Sequence, residues 1–256
     1  FFVEYYSEIP YFGLRTDTFI LYTKESIMGS NTQGSYRTLP AESAGIDLGS
    51  ALSIIFTDKE WKLVVGHSKG DQVWKFPCGK IEQRDCPLPK QELVSDRMFV
   101  TAAAKRCALR ELEAEVGFTE RYLLFFHQLN YVRSWKVKDG VTHAQKELQQ
   151  FHFIGIMPEG IALPEEVLER EEMDVRAYWD IGEVLKRSMQ QRYSRDKFNP
   201  FHALALVEAL LFLRKTIGND PMFQPFFDTI RALEKDNLHI DTLSYELEDQ
   251  IKTKRI

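Results

Sequence analysis

The sequence predicts an α/β fold on three observations. Two short apolar runs rich in β-branched residues, 52–56 (LSIIF) and 63–67 (LVVGH), flank a polar turn around Asp58-Lys59-Glu60, which is a hairpin pattern. A helical stretch over 101–116 follows, with Thr101 suited to cap it, alanines after it and Gly117 to end it. Two more strand patterns, 123–132 and 149–157, then precede helical patterns at 180–192 and 199–217.

The remaining elements fall around this frame. Residues 1–48 carry no sustained period beyond a short strand candidate at 19–22. The stretch 29–49, rich in Ser, Gly, Asn and Thr, reads as a linker. This segment is predicted to be an arm that packs on the main domain or on a partner. An extended piece, Val73-Trp74-Lys75-Phe76, runs into Pro77 and is broken by Gly79. Residues 83–97 are polar and hold Pro87 and Pro89, so they form a loop or insertion. The polar link 136–146 reads as a hairpin loop. Pro200 suits the first turn of the 199–217 helix, and Gly218 lies just past its end. Beyond it, 220–256 forms a tail with amphipathic helices at 223–234 and 243–252. The predicted organisation is an arm and linker (1–48), a main domain (49–219) and a C-terminal helical tail (220–256).

Composition narrows the function. A net charge of −5 and a pI near 5.8 exclude nucleic-acid binding by bulk charge, so no DNA partner is expected and any RNA contact is local. Three cysteines, Cys78, Cys86 and Cys107, make no disulfide framework and stand at no metal-ligand spacing. That usage fits a reducing, intracellular compartment. The longest apolar run, 202–213 (HALALVEALLFL), is too short to span a bilayer and contains Glu208, so no membrane association is expected. The chain starts Phe1-Phe2 without methionine. A cleaved transit peptide or a truncation would each leave that start. That start leaves the compartment open; the resemblance described below implies the mitochondrial matrix, with the cytoplasm as the alternative.

The chemistry is concentrated in 74–82 (WKFPCGKIE) and 110–118 (RELEAEVGF). A strand leads into a Pro-x-Gly turn, and a helix with acids on one face follows after a loop. Glu111 and Glu115 stand at i, i+4, where like charges repel by about 0.2–0.5 kcal/mol. Such a pair is usually a solvated face, but a bound cation would explain it. Hard carboxylate oxygens suit Mg²⁺ or Mn²⁺, which keep several waters and bridge to substrate phosphates. Arg110 is placed to orient a neighbouring carboxylate. Lys80, beside the glycine turn, can meet phosphate. Trp135 and Lys136, read as lying in a loop, offer a stacking surface beside a positive charge for a base; packing on their own domain is the plainer reading.

These residues resemble the Nudix box, G-x5-E-x7-R-E-U-x-E-E-x-G-U with U aliphatic. Gly79 matches the first glycine, Arg110-Glu111-Leu112 match R-E-U, Glu115 matches the second acid of the E-E pair, and Gly117-Phe118 match its end. The lead-in Trp74-x-Phe76-Pro77-x-Gly79-Lys80-Ile81 is similar to that of the mRNA-decapping branch. So are the acidic segment 171–173 before Tyr178-Trp179, and the helix after Lys197-Phe198. The resemblance covers about residues 50–220 and implies a mixed β-sheet sandwiched between α-helices.

The resemblance also implies a metal-dependent pyrophosphohydrolase acting on RNA 5′ ends, a triphosphate or a cap. Glu111, Glu115 and the Gly79 carbonyl would serve Mg²⁺ or Mn²⁺, and Glu172 would be the distant acid, as base or ligand. A protein partner would dock through the N-terminal arm or the C-terminal helices. Two departures stand out. Ala114 replaces the first acid of the pair, and Glu113, about 200° away from Glu111 around the helix, cannot easily substitute. Counting six from Gly79 reaches Asp85; the arginine would then fall at 93 and falls at 110, so the loop is 17 residues longer. They leave two alternatives: a catalytically degenerate fold kept as a binding or assembly module in an RNA–protein complex, or a small-molecule nucleoside-diphosphate hydrolase.

Overall fold

β1 (Ser50–Thr57) is the spine of the sheet, because every residue after Ser50 is buried. A continuous apolar run of this kind marks a strand covered on both faces. In the computed structural model, β1 pairs in parallel with β6 (Gln145–Met157), from Ser50↔Gln150 to Thr57↔Met157. It pairs antiparallel with β2 (Leu63–Ser68) and with β4 (Cys78–Lys80). β3 (Val73–Lys75) and β7 (Met173–Trp179) flank β2, and β5 (Phe125–Lys138) flanks β6. One parallel pair among antiparallel ones makes the sheet mixed, as expected. The structure describes residues 49–86, 96–138, 145–165, 173–189, 197–217 and 223–253, which fall in one compact unit, Asp47–Ile256. The predicted arm and linker lie outside the described residues.

Helices cover both faces. α1 (Asp96–Glu111) sits close on one face because Ala103, Ala104, Cys107 and Ala108 are small where they meet Ala51, Phe151 and Phe153. The Ser53 hydroxyl donates to the Ala108 carbonyl at 3.1 Å, tying β1 to this helix. α3 (Pro200–Ile217) covers the opposite face, where His202 stacks on Phe76 and Phe212 on His127. α2 (Ile181–Ser188) follows β7, with Asp180 at its N-cap position. α4 (Gln224–Lys235) buries Phe226, Ile230 and Leu233, and Phe226 lies 4.8 Å from the Trp61 ring. α5 (Ile240–Thr253) buries Ile240, Leu243, Leu247 and Ile251 and packs on α3. The apolar faces of both C-terminal helices are thus turned inward. None of the described helices is long and apolar enough to cross a membrane.

Two elements differ in extent from expectation, the start of α1 and the β5–β6 hairpin. α1 starts at Asp96, so Thr101 lies inside the helix and caps nothing; the residues just before it include no proline or glycine to stop the helix. At its other end α1 widens into a π turn, Leu112–Val116, and Gly117 closes it in the left-handed region at φ 88°. The β5–β6 hairpin is longer than predicted. Trp135 and Lys136 are strand residues opposite Leu148 and Glu147, not loop residues. The alternation Ser134, Trp135, Lys136, Val137, Lys138 is a strand period that the polar composition of the stretch obscures.

Candidate active site

The register of β4 aims the glycine turn at α1. Gly79 stands opposite Ala51, on the α1 side, while Cys78 stands opposite Leu52, on the α3 side. Glu111, at the end of α1, lays its carboxylate on Gly79. A Cβ added to Gly79 would stand 1.9 Å from Glu111 Oε1 and 2.1 Å from its Cδ. Only glycine leaves that space. Gly79→Ala must therefore push Glu111 aside, and we expect it to cost about 1–3 kcal/mol in urea denaturation, as overpacked sites do. A loss below 0.5 kcal/mol, in the ordinary range for a surface change, would mean the carboxylate is not held where it lies.

Arg110 reaches four neighbours at once, Cys107 Sγ at 3.6 Å among them. Its Nη1 donates to Glu111 Oε1 at 2.5 Å, and its Nε and Nη2 reach Asp85 Oδ1 and Oδ2, each at 2.9 Å. Nη2 also donates to the Lys80 carbonyl at 3.0 Å. The two parallel bonds to Asp85 are the fork geometry that a guanidinium provides and an ammonium does not. Burial pushes the Asp85 carboxyl up, but Arg110 and the Glu82 N–H, which donates to Oδ2 at 2.8 Å, hold it below the usual range. Asp85, reached by counting six from Gly79, is thus joined to Arg110 across the long insertion, part of which (87–95) lies outside the described residues.

Glu115 is fully buried on the next turn of the same helical segment. Its Oε2 accepts the Cys78 N–H at 2.8 Å, and its Oε1 forms an ion pair with Lys75 Nζ at 3.3 Å. Burial pushes the Glu115 carboxyl up to about 7, against the pull of Lys75 and of the Cys78 N–H. Burial works against the Lys75 ammonium, but Cys78 and Glu115 outweigh it and its pKa ends above the usual lysine value. Ala114 is buried beside this pair, and Glu113 is exposed, as the helical rotation predicts.

Cys78 does not add a nucleophile. His202 Nδ1 accepts the Phe76 N–H at 3.0 Å, so in the neutral ring Nε2 carries the proton and faces Cys78 Sγ at 3.7 Å. Burial holds His202 well below the usual histidine range and pushes the Cys78 thiol up to about 12. Burial keeps the thiol protonated, and the ring nitrogen that faces it is no base to take its proton.

The structure therefore brings Gly79, Arg110, Glu111 and Glu115 together, with Lys80 exposed beside them. It adds Lys75, which the sequence reading passed over, and it joins Asp85, reached there by counting from Gly79, to Arg110. Lys75 stands in the sequence as a lone charge between Trp74 and Phe76, and only the fold shows the carboxylate it meets. Trp135 and Lys136 lie two and three residues beyond a row across the sheet formed by Lys80, Ser50, Gln150 and Arg133. Glu172 lies outside the described residues.

The donors suit a divalent cation in kind. Glu111, Glu115 and the Gly79 carbonyl offer hard oxygens, and Glu115 Oε1 is a buried atom with an ion-pair partner but no hydrogen bond. In number they are few. Among the described residues no three His, Cys, Asp or Glu side chains converge on one point, so waters and substrate oxygens would have to complete the shell.

No protein-family model matches the chain, and none of the curated proteins does. Among solved structures, the E. coli dihydroneopterin triphosphate pyrophosphohydrolase is similar at 12% identity and a TM-score of 0.41, covering 61% of this chain and 90% of that one. A C. elegans Ap4A hydrolase is similar at 10% identity and a TM-score of 0.41, covering 65% and 97%. A Nudix hydrolase from M. smegmatis, RenU, is similar at 13% identity and a TM-score of 0.41, covering 66% and 87%. These likenesses are distant, and the substrates in those names stay with those proteins.

Proposed function

We propose that this chain is a metal-dependent pyrophosphohydrolase of the Nudix type acting on RNA 5′ ends. The observation that carries the reading is the Glu111 carboxylate seated on Gly79 and clamped through Arg110 to Asp85. Buried charges so arranged are costly to maintain for packing alone. They are the residues that the box-like spacing singles out. Glu111, Glu115 and the Gly79 carbonyl would hold Mg²⁺ or Mn²⁺. Bound there, the ion would neutralise a diphosphate and make its water more acidic. Arg110 orients Glu111, and Lys80, exposed beside the glycine turn, is proposed to meet a phosphate oxygen. Glu172 is proposed as the distant acid.

Specificity for RNA rests on the decapping-like lead-in Trp74-x-Phe76-Pro77-x-Gly79-Lys80. It is favoured by the ribbon beyond β1 that carries Arg133, Trp135 and Lys136. The same motifs are similar to those of a kinetoplastid mitochondrial edited-mRNA stability factor. On that ground we propose the mitochondrial matrix as its compartment, with a protein partner bound through the N-terminal arm or the C-terminal helices.

A second reading, a binding module without catalysis, is favoured by Ala114 in the acid position and by Lys75 on Glu115. One assay separates the two. Purified chain is incubated with 5′-triphosphorylated RNA, with and without Mn²⁺, and released pyrophosphate is measured. We expect metal-dependent release that falls at least about 10–100-fold in Glu115→Gln, on the scale of losing a metal-site interaction. RNA binding without release would establish the module instead. Release from free nucleotides but not from RNA would indicate a small-molecule hydrolase.

A further inference from the structure

We infer that Lys75 is a built-in counter-ion that competes with a divalent cation for Glu115 and turns to the substrate's phosphate when the cation displaces it. The inference rests on the proposed metal reading and extends it to regulation of the same site. Three observations lead to it. The Lys75 ammonium stands 3.3 Å from the buried Glu115 Oε1, the carboxylate oxygen that the Cys78 N–H does not take. The other carboxylate of the site, Glu111, already has Arg110 at 2.5 Å. Both carboxylates are therefore charge-balanced by side chains of this chain, and Glu115 is fully buried under that arrangement.

A second cation cannot share Glu115 Oε1 with an ammonium in contact, because like charges at such range repel strongly where water is scarce. Metal binding must move Lys75. Lysine suits this exchange better than arginine: its charge is compact, and its four-carbon stem lets the ammonium swing while β3 stays paired. Lys75 is opposite Gly66 in β2, where the Met173 side chain fills the space that a Cβ would take, so the ammonium has to swing away from β2, toward the Gly79 turn. The ammonium so released would remain next to the Gly79 turn, where a diphosphate would supply the negative charge that Glu115 had given it. Metal and substrate would then bind cooperatively, since each stabilises the position of Lys75 that the other needs.

The test is direct Mn²⁺ binding, read from free Mn²⁺ by electron paramagnetic resonance, on the metal-stripped full chain. Lys75→Met is expected to bind Mn²⁺ at least tenfold more tightly than the wild type, and Lys75→Gln, which can keep a hydrogen bond to Glu115 if the methionine variant fails to fold, at least severalfold more tightly. In the wild-type chain, acylation of Lys75 by acetic anhydride, followed by mass spectrometry, is expected to rise when Mn²⁺ is added. Equal Mn²⁺ affinity in wild type and variants, with unchanged acylation, overturns the role of Lys75 and leaves the metal reading standing. Mn²⁺ binding to neither wild type nor variants overturns both.

Discussion

Replacing Arg110 by alanine is expected to cost about 3–5 kcal/mol of folding stability, the usual consequence of removing one partner from a buried charge network. Two carboxylates lose their counter-charge at once. Asp85 is 3% exposed and Glu111 5%, so neither can recover hydration without a change of structure. Arg110 is itself partly exposed, which places the effect nearer the lower end of that range. Arg110→Lys should recover little, because an ammonium cannot make the paired bonds to both Asp85 oxygens while also reaching Glu111 and the Lys80 carbonyl. Asp85→Asn combined with Arg110→Ala should cost less than the two single losses added together, and that shortfall measures the coupling. Urea denaturation of the wild type and these four variants supplies all these values. A loss under 1 kcal/mol for Arg110→Ala would mean that Asp85 and Glu111 are solvated or protonated in the folded chain.

The network also marks how far the sequence could be read. The α/β alternation, the 52–67 hairpin, the helix end at Gly117 and the approach of Gly79 to Glu111 all follow from local signals, namely period, turn chemistry and one spaced motif. Counting six from Gly79 even found Asp85, because a salt bridge to Arg110 holds that spacing whatever the length of the loop between them. What failed was set by tertiary pairing. Trp135 and Lys136 belong to a strand because β6 supplies a partner ladder, and composition alone gave a loop. Thr101 can cap a helix, but nothing before it ends one. Lys75 was passed over because its meaning depends on Glu115, forty residues later, being buried against it. A lysine in a strand reads as an exposed edge until the opposite charge is located.

Raising the pH from 4.5 to 8 is expected to remove about 3 kcal/mol of stability through Glu115 alone. In the unfolded chain its carboxyl ionises near 4.5, whereas burial in the folded chain delays this to about 7. Between those values the folded chain holds a proton that the unfolded chain has released, so stability falls as pH rises through the window and is level above it. At about 1.4 kcal/mol for each pH unit, that window accounts for the figure. Other groups act differently. His152, pushed down to about 4 by burial, and the equally buried His202 stay neutral where the unfolded chain is protonated, so their contribution rises with pH over much of the same range. Asp85, held below the usual range, contributes stability that is lost only at still lower pH. The whole-protein profile is therefore a sum of opposing slopes, and its shape alone cannot report on Glu115. The difference between wild type and Glu115→Gln isolates it, since the histidines and Asp85 are common to both and Lys75 titrates far above the window. Chemical denaturation at pH 4.5, 6 and 8 should show the wild type losing about 3 kcal/mol more than Glu115→Gln. Parallel profiles would mean that Glu115 ionises in the folded chain as it does in water, and that the Lys75 ion pair fully offsets its burial.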